Sequence, residues 1–345
     1  MYLTPTHPRP TARIAGLGTF LPEQVLTSAE LERRIRDDGV AISPGFIERA
    51  TGIEERRRAR RGENASDLAV GAARGALGAA GIGADAVDIL IFSAASHDVT
   101  EPATANIVQS KLDARNAIAF DLKNACNSFL SALDVADGYI QLGRARVVLI
   151  AIGEVPSVVT DLRVTSREDL AERFSHLTVG DAGAAVVLVP SDDPERGIRA
   201  TAAVTRGSAW ELGTVLSFGT MYLDDRSVER ALLRSRGCEL EACARAEMPA
   251  VMLAAIERAG WTPDSVDVVA CHQHTRKISF EICKAAGIPP ERVALPLRYA
   301  GNAASANIPL AMADAERRGA LVPGARVLLC GGSAGFSAIA TALTW

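Results

Sequence analysis

An internal repeat constrains this chain more than any other feature. Gly81-x3-Asp85-x-Val87-Asp88 precedes the apolar run Ile89-Leu90-Ile91-Phe92. Gly260-x3-Asp264-x-Val266-Asp267 precedes Val268-Val269-Ala270, each matched residue standing 179 positions on. Ala145-Arg146-Val147-Val148-Leu149 recurs as Ala325-Arg326-Val327-Leu328-Leu329, 180 positions on. Short continuous apolar runs bounded by polar residues suit strands buried on both faces. Strands of that kind alternating with helices form an α/β unit, and a repeat in constant register implies two such units. The expected halves are residues 1–190 and 191–345.

The first half reads in order. Residues 12–22 form a strand ending in a turn. Ser28 is placed to cap a helix over 29–38, because its oxygen can accept an orphan N–H. The charge run 56–61 reads as a solvated loop. Ser66 opens a helix over 68–80 that Gly81 ends, and a further helix covers about 103–112. Ala117-Ile118-Ala119-Phe120-Asp121-Leu122 and Val147-Val148-Leu149-Ile150-Ala151-Ile152 are strands, 161–174 is a polar excursion, and the strand Ala184-Ala185-Val186-Val187-Leu188-Val189 closes the half. Residues 207–245 break the repeat and are expected to be an insertion or lid.

Bulk properties exclude several classes. With 345 residues and 48% hydrophobic content the chain can bury a sizeable core. A net charge of −4 and a pI near 5.8 offer nothing to a nucleic acid. No apolar run approaches the roughly 20 residues that span a bilayer, and the first ten residues lack a signal-peptide core. Cysteines 126, 238, 243, 271, 283 and 330 show no CxxC spacing, so free thiols in a cytoplasmic chain are expected. Cys271-His272-Gln273-His274 is dense in ligand types, yet no second ligand cluster is nearby, and no metal is expected.

Two stretches carry the chemistry. Asn124-Ala125-Cys126-Asn127-Ser128-Phe129 lies between a strand and an amphipathic helix, which puts a cysteine at a helix start. Unpaired N–H groups and the helix dipole favour a thiolate there. Such a nucleophile needs a base and an oxyanion binder. His272, and Asn302 in Gly301-Asn302, are the candidates. The repeat supports this: 179 residues past Ser93 is His272, and 179 past Cys126 is 305, beside Asn302. Taken alone, Cys126 would be a buried structural thiol and Gly301-Asn302-Ala303 an ordinary turn.

The chain resembles the thiolase-fold condensing enzymes, specifically β-ketoacyl-acyl carrier protein synthase III. The likeness runs through Gly16-x-Gly18-x-x-Leu21-Pro22-Glu23-Gln24-Val25, Thr51-Gly52-Ile53-x-Glu55-Arg56-Arg57, Phe120-Asp121-x3-Ala125-Cys126-x2-Phe129, Gly180-Asp181-x-Gly183-Ala184, His272-Gln273, Gly301-Asn302 and Gly331-Gly332. It implies a layered α-β-α-β-α sandwich of duplicated βαβ halves and a homodimer. It also implies an acyl-S-Cys intermediate on Cys126, with His272 and Asn302 as partners, and an oxyanion hole from the backbone N–H groups of Cys126 and Gly332. No tightly bound cofactor is implied; the acyl donor is a phosphopantetheine or coenzyme A thioester, and an acyl carrier protein is the partner.

Departures from the family pattern concern substrate. The usual His-Gln-Ala-Asn reads His272-Gln273-His274-Thr275. The usual tryptophan and arginine that hold coenzyme A are Phe46 and Ala50, which weakens a nucleotide handle and favours a carrier-protein donor. The phenylalanine that normally precedes Pro102 and lines the partner's acyl pocket is Glu101, which argues against a long apolar primer and, without a cation or water between, against an anionic acyl group. Arg276 and Lys277 are candidate contacts for an acidic carrier. These departures resemble those of ester- and amide-forming homologues of antibiotic pathways, cervimycin biosynthesis among them. The expectation is transfer of an acyl group, malonyl foremost, onto a sugar hydroxyl of a polyketide. Decarboxylative condensation with malonyl-carrier protein is the alternative, and a catalytically silent ketosynthase partner is the third reading. If a malonyl carbanion is the acceptor, His272 and Asn302 donate to the enolate; if a hydroxyl is, His272 must be neutral and remove its proton.

Overall fold

The computed structural model of the chain describes residues 11–217, 219–222 and 227–345. Strand β1 (Ala12–Phe20) comes first, followed by the antiparallel pair β2 (Gln24–Thr27) and β3 (Glu55–Arg58), with helices α1 (Ser28–Asp37) and α2 (Phe46–Thr51) between them. Then come α3 (Ala65–Ala80), β4 (Ile89–Ser93), α4 (Thr104–Leu112), β5 (Ile118–Leu122), α5 (Ser128–Gln141), β6 (Val148–Glu154), α6 (Arg167–Glu172) and β7 (Ala182–Pro190). The second half opens with β8 (Gly197–Thr205), β9 (Gly213–Thr214), α7 (Val228–Ala231), β10 (Arg234–Ser235) and α8 (Gly237–Arg258). It ends with β11 (Val268–Cys271), α9 (Arg276–Ala285), α10 (Leu297–Ala300), α11 (Asn307–Arg317), β12 (Arg326–Ser333) and β13 (Ser337–Thr344).

The repeat becomes two sheets of the same plan. One has the order β1-β7-β6-β4-β5 and the other β8-β13-β12-β11. The inner pairs β4–β6 and β11–β12 are parallel, while β7 and β13 run antiparallel to both their neighbours. The counterpart of β5 in the second sheet is a single parallel bridge, Val269 to Val293. Pro289, Pro290 and Pro296 flank that bridge, and proline has no N–H to donate to a ladder.

Helices layer on the sheets as burial demands. Every residue of β4 and β6 is buried, so both faces of these strands must be covered. Helix α3 packs on the outside of the first sheet and α8 on the outside of the second, while α5 touches both sheets and α11 lies between β11 and β1. Alternation along β12 shows the division: Val327 and Leu329 join the central core, Leu328 and Cys330 the cluster under α8. Close seating of α3 depends on Gly153 and Gly183, where an added Cβ would strike the carbonyl oxygens of Ala65 and Leu68.

Four local expectations are corrected. Thr27, not Ser28, caps α1, in a capping box with Glu30, and Ser28 donates instead to the Ile53 carbonyl at 2.6 Å. Asn64 and Asp67 form the same box for α3, one residue before the helix begins at Ala65. The break at 207–245 ends earlier, because α8 already starts at Gly237 and continues past Pro249. The fourth is the charge run: Arg56 is fully buried and Arg58 is 9% exposed, because both face inward from β3.

Arg56 stands between the halves. It donates to the carbonyls of Leu26 (3.3 Å) and Leu177 (2.6 Å) and to Ser28 Oγ (3.0 Å). Burial, and then the charge of Arg58, push its pKa down to about 9. Its Cβ lies where a side chain on Gly180 or Gly301 would go, so it packs against the turn carrying Asn302. Replacing Arg56 with Met removes three donors to buried acceptors. The variant is expected to lose roughly 2–4 kcal/mol of stability in denaturant unfolding.

Candidate active site

The nucleophile turn is strained and tied down. Ala125 has φ +44°, a left-handed conformation that costs a non-glycine residue roughly 1–2 kcal/mol. Hydrogen bonds hold it: Asn124 N–H to Ser128 Oγ (2.8 Å) and Ser128 Oγ to the Ala125 carbonyl (2.7 Å). Asn127 Nδ2 donates to the carbonyl (3.1 Å) and hydroxyl (3.0 Å) of Ser337, and Ser333 Oγ to the Asn124 carbonyl (3.1 Å). Cys126 therefore sits two residues before α5, clamped against the β12–β13 hairpin of the other half.

The second half repeats this turn without the sulfur. Ala304 also has φ +44°, 179 residues after Ala125, and Ser305 takes the place of Cys126. Asn302 lies just before it. Its N–H donates to the Thr178 carbonyl (2.8 Å), and its carbonyl accepts from Gly180 (3.0 Å). Gly301 has φ +71°, and a side chain there would also meet the Thr178 carbonyl, so glycine is required twice over. His272 follows β11, its N–H bound to the Cys330 carbonyl at 2.9 Å and its Nδ1 lying 3.2 Å from the Ala304 carbonyl.

Cys126, His272 and Asn302 line one cavity of about 170 Å³, together with Gly332. Leu233, Leu240, Met248, Ile278 and Phe336 supply apolar wall. The polar wall includes serines and one pair, His274 Nδ1 at 3.3 Å from Glu241 Oε1. The hydrogen bond from His274 comes first among the causes that hold the Glu241 carboxyl below its ordinary range. The remaining sequence candidates lie elsewhere. Glu101, Arg276 and Lys277 are exposed, and Lys277 is 3.8 Å from Glu281. Phe46 packs edge-to-face on Phe174 at 6.3 Å between centroids.

Electrostatics correct the expected thiolate. Burial, reinforced by the Glu154 carboxylate, pushes the Cys126 thiol up from 9.0 to about 12. That rise corresponds to roughly 4 kcal/mol against the thiolate, several times the ~0.3–1 kcal/mol a helix N-terminus offers. Burial, and then the neighbouring His274, lower His272 to about 4. The resting site is a neutral thiol beside a neutral imidazole, and the proton must move as the sulfur attacks.

Sequence reading missed two groups. Glu154, fully buried at the end of β6, accepts from the N–H groups of Ala95, Ser96 and Ser305 and from the hydroxyls of Ser96 and Ser305. A carboxylate closing an apolar strand was the available signal. Glu241 lies on α8, inside what read as insertion. Among the described residues, no helix is long and apolar enough to cross a membrane, and no group of three or more His, Cys, Asp or Glu could hold a metal ion.

Duplicated α/β halves meeting at a helix-mouth cysteine, with histidine and asparagine from the other half, define the thiolase-fold condensing enzymes. The family described as 3-oxoacyl-[acyl-carrier-protein] synthase III matches residues 120–207, and its C-terminal part matches 256–345. A β-ketoacyl-[acyl-carrier-protein] synthase III of Rhodospirillum rubrum is 35% identical over 333 residues, covering 94% of this chain and 96% of the relative. The solved 3-oxoacyl-[acyl-carrier-protein] synthase III of Aquifex aeolicus superposes with a TM-score of 0.86 at 30% identity, covering 97% of this chain and 100% of that one. The priming β-ketosynthase of the R1128 polyketide pathway gives 0.87 at 29% identity, covering 97% and 96%. The chain belongs to the β-ketoacyl-[acyl-carrier-protein] synthase III family.

A neutral imidazole at His272 makes the pH dependence a test of its role as base. The imidazole accepts a proton only above its pKa, so Cys126 acylation falls as pH drops through about 4, not through the ordinary 6.5. Intact-mass measurement of Cys126 acylation between pH 3.5 and 8 reads this limb.

Proposed function

We propose that this chain catalyses acyl transfer through Cys126, ending in decarboxylative condensation. The convergence of Cys126, His272 and Asn302 on one cavity carries this reading. The Cys126 sulfur attacks the acyl thioester, and His272 takes the thiol proton and passes it to the departing thiolate. Malonyl thioester then loses CO2, and its carbanion attacks the acyl carbon, forming the C–C bond and freeing Cys126. His272 and Asn302 donate to the enolate, and the backbone N–H groups of Cys126 and Gly332 to the oxyanion of the acyl group. The names of the relatives support condensation over other outcomes, and the R1128 neighbour extends the substrate class toward polyketide primers.

A carrier-protein arm is the proposed donor. Phe46 is half-buried against Phe174 and Ala50 carries no charge, so neither grips a nucleotide. Arg276 and Lys277 are exposed cations suited to an acidic carrier. A second copy is the proposed partner at β5, an open edge strand whose Ile118 is 69% exposed.

Ester formation is the second reading, with malonyl passing from Cys126 to a sugar hydroxyl of a polyketide. The observation favouring it is a neutral His272 whose Nδ1 faces a carbonyl, which leaves Nε2 able to accept a hydroxyl proton. Incubation with malonyl-carrier protein separates the two. Condensation gives CO2 and a β-ketoacyl product; ester formation retains the carboxylate and needs a glycosylated polyketide. Cys126→Ala is expected to lose at least a thousandfold in either reaction, and undiminished turnover would refute both.

A further inference from the structure

We propose that the Ser175 hydroxyl and the Glu241–His274 pair form a polar subsite in the Cys126 cavity, which takes a hydroxyl carried on the acyl chain of the donor thioester. The proposal rests on Cys126 being the residue that is acylated. Ser175, Glu241 and His274 all line that cavity. Ser175 is 8% exposed, and among the described residues no group bonds its Oγ. Its backbone is held in place, because its carbonyl accepts from the N–H (3.1 Å) and the hydroxyl (2.7 Å) of Thr178.

One short stretch of chain joins the two polar walls. His176, beside Ser175, donates from Nε2 to the Leu233 carbonyl at 2.6 Å. Four residues on, Gly237 lies against His274, where an added Cβ would stand 3.7 Å from the imidazole ring. Leu233, Ser235 and Gly237 line the cavity too. Four residues of chain span at most about 14 Å. Ser175 and His274 therefore flank one wall of the same cavity.

The bonding already made there selects a neutral group. Glu241 Oε1 is 3.3 Å from His274 Nδ1, and Glu241 Oε2 accepts from Arg245 at 3.0 Å. The carboxylate is matched twice and calls for no charge from a substrate. His274 Nε2 and Ser175 Oγ are left over, for among the described residues neither has a hydrogen-bond partner. A hydroxyl both donates and accepts, so it suits either atom whichever of them carries the hydrogen. A plain hydrocarbon chain would seal the serine against carbon. A buried polar group left unpaired is what lets a site reject the analogue that lacks a hydroxyl.

Hexanoyl-, 3-hydroxyhexanoyl- and 6-hydroxyhexanoyl-pantetheine test this, with Cys126 acylation of the full chain read by intact mass. At least one hydroxylated chain is expected to acylate Cys126 ten times faster than hexanoyl, and equal rates overturn the proposal. Ser175→Ala and His274→Leu are each expected to bring that ratio within threefold. Taking the ratio within one variant cancels any change in His272, on which the charge of His274 bears. An unchanged ratio in either variant overturns the proposal, as does an equal loss with all three donors, which would assign the subsite to the pantetheine amides they share. Calorimetry on Cys126→Ala reads binding of the same thioesters with no covalent step. The preferred hydroxylated thioester is expected to bind at least fivefold tighter than hexanoyl, and equal affinities overturn the proposal. If the wild-type chain takes up no acyl group while that difference in binding stands, the acyl-transfer reading fails and the subsite survives.

Discussion

One carboxylate joins the two halves at the point where chemistry must happen. Glu154 leaves the end of β6 in the first half and reaches the 304–305 turn of the second, while also holding the loop after β4. A fully buried carboxyl is costly to ionise; five donors offset part of that cost, and burial still raises its pKa. The same group makes its neighbour Cys126 harder to ionise. Registry between the halves and part of what keeps the thiol neutral therefore come from one group, burial being the larger cause. A thiol raised in this way is a nucleophile only where a neighbouring base takes its proton.

The folding pattern was largely readable from the chain. Continuous apolar runs located β4, β6, β7 and β12, and the 179-residue repeat foretold that the sheets would share one plan. Local chemistry was readable where side chains act on their neighbours, as at Gly81. It failed where distant residues decide. Arg56 looked like part of a solvated charge run because its acceptors, among them the Leu177 carbonyl, are far away in sequence. Helix α8 was hidden by its glycine start and internal proline.

The trio at the centre of the site was readable from spacing and likeness together. Cys126, His272 and Asn302 stand at strand and helix ends of a repeat, a spacing that suits their meeting, and the family motifs name the same three residues. The environment that tunes them was not readable. Glu241 and Glu154 act through contacts between elements far apart in the chain. Of the residues named for substrate, His274 lines the cavity, while Glu101, Phe46, Arg276 and Lys277 lie outside it.

The two sheets are copies except at one margin. The first keeps a fifth strand with an uncovered outer edge, and the second has let that strand shrink to a lone bridge interrupted by prolines. A molecule symmetric in both halves would offer two such margins and could add copies without end. Among the described strands this counterpart edge stands on the first half alone, and an unpaired strand edge is a template on which a further strand can be laid.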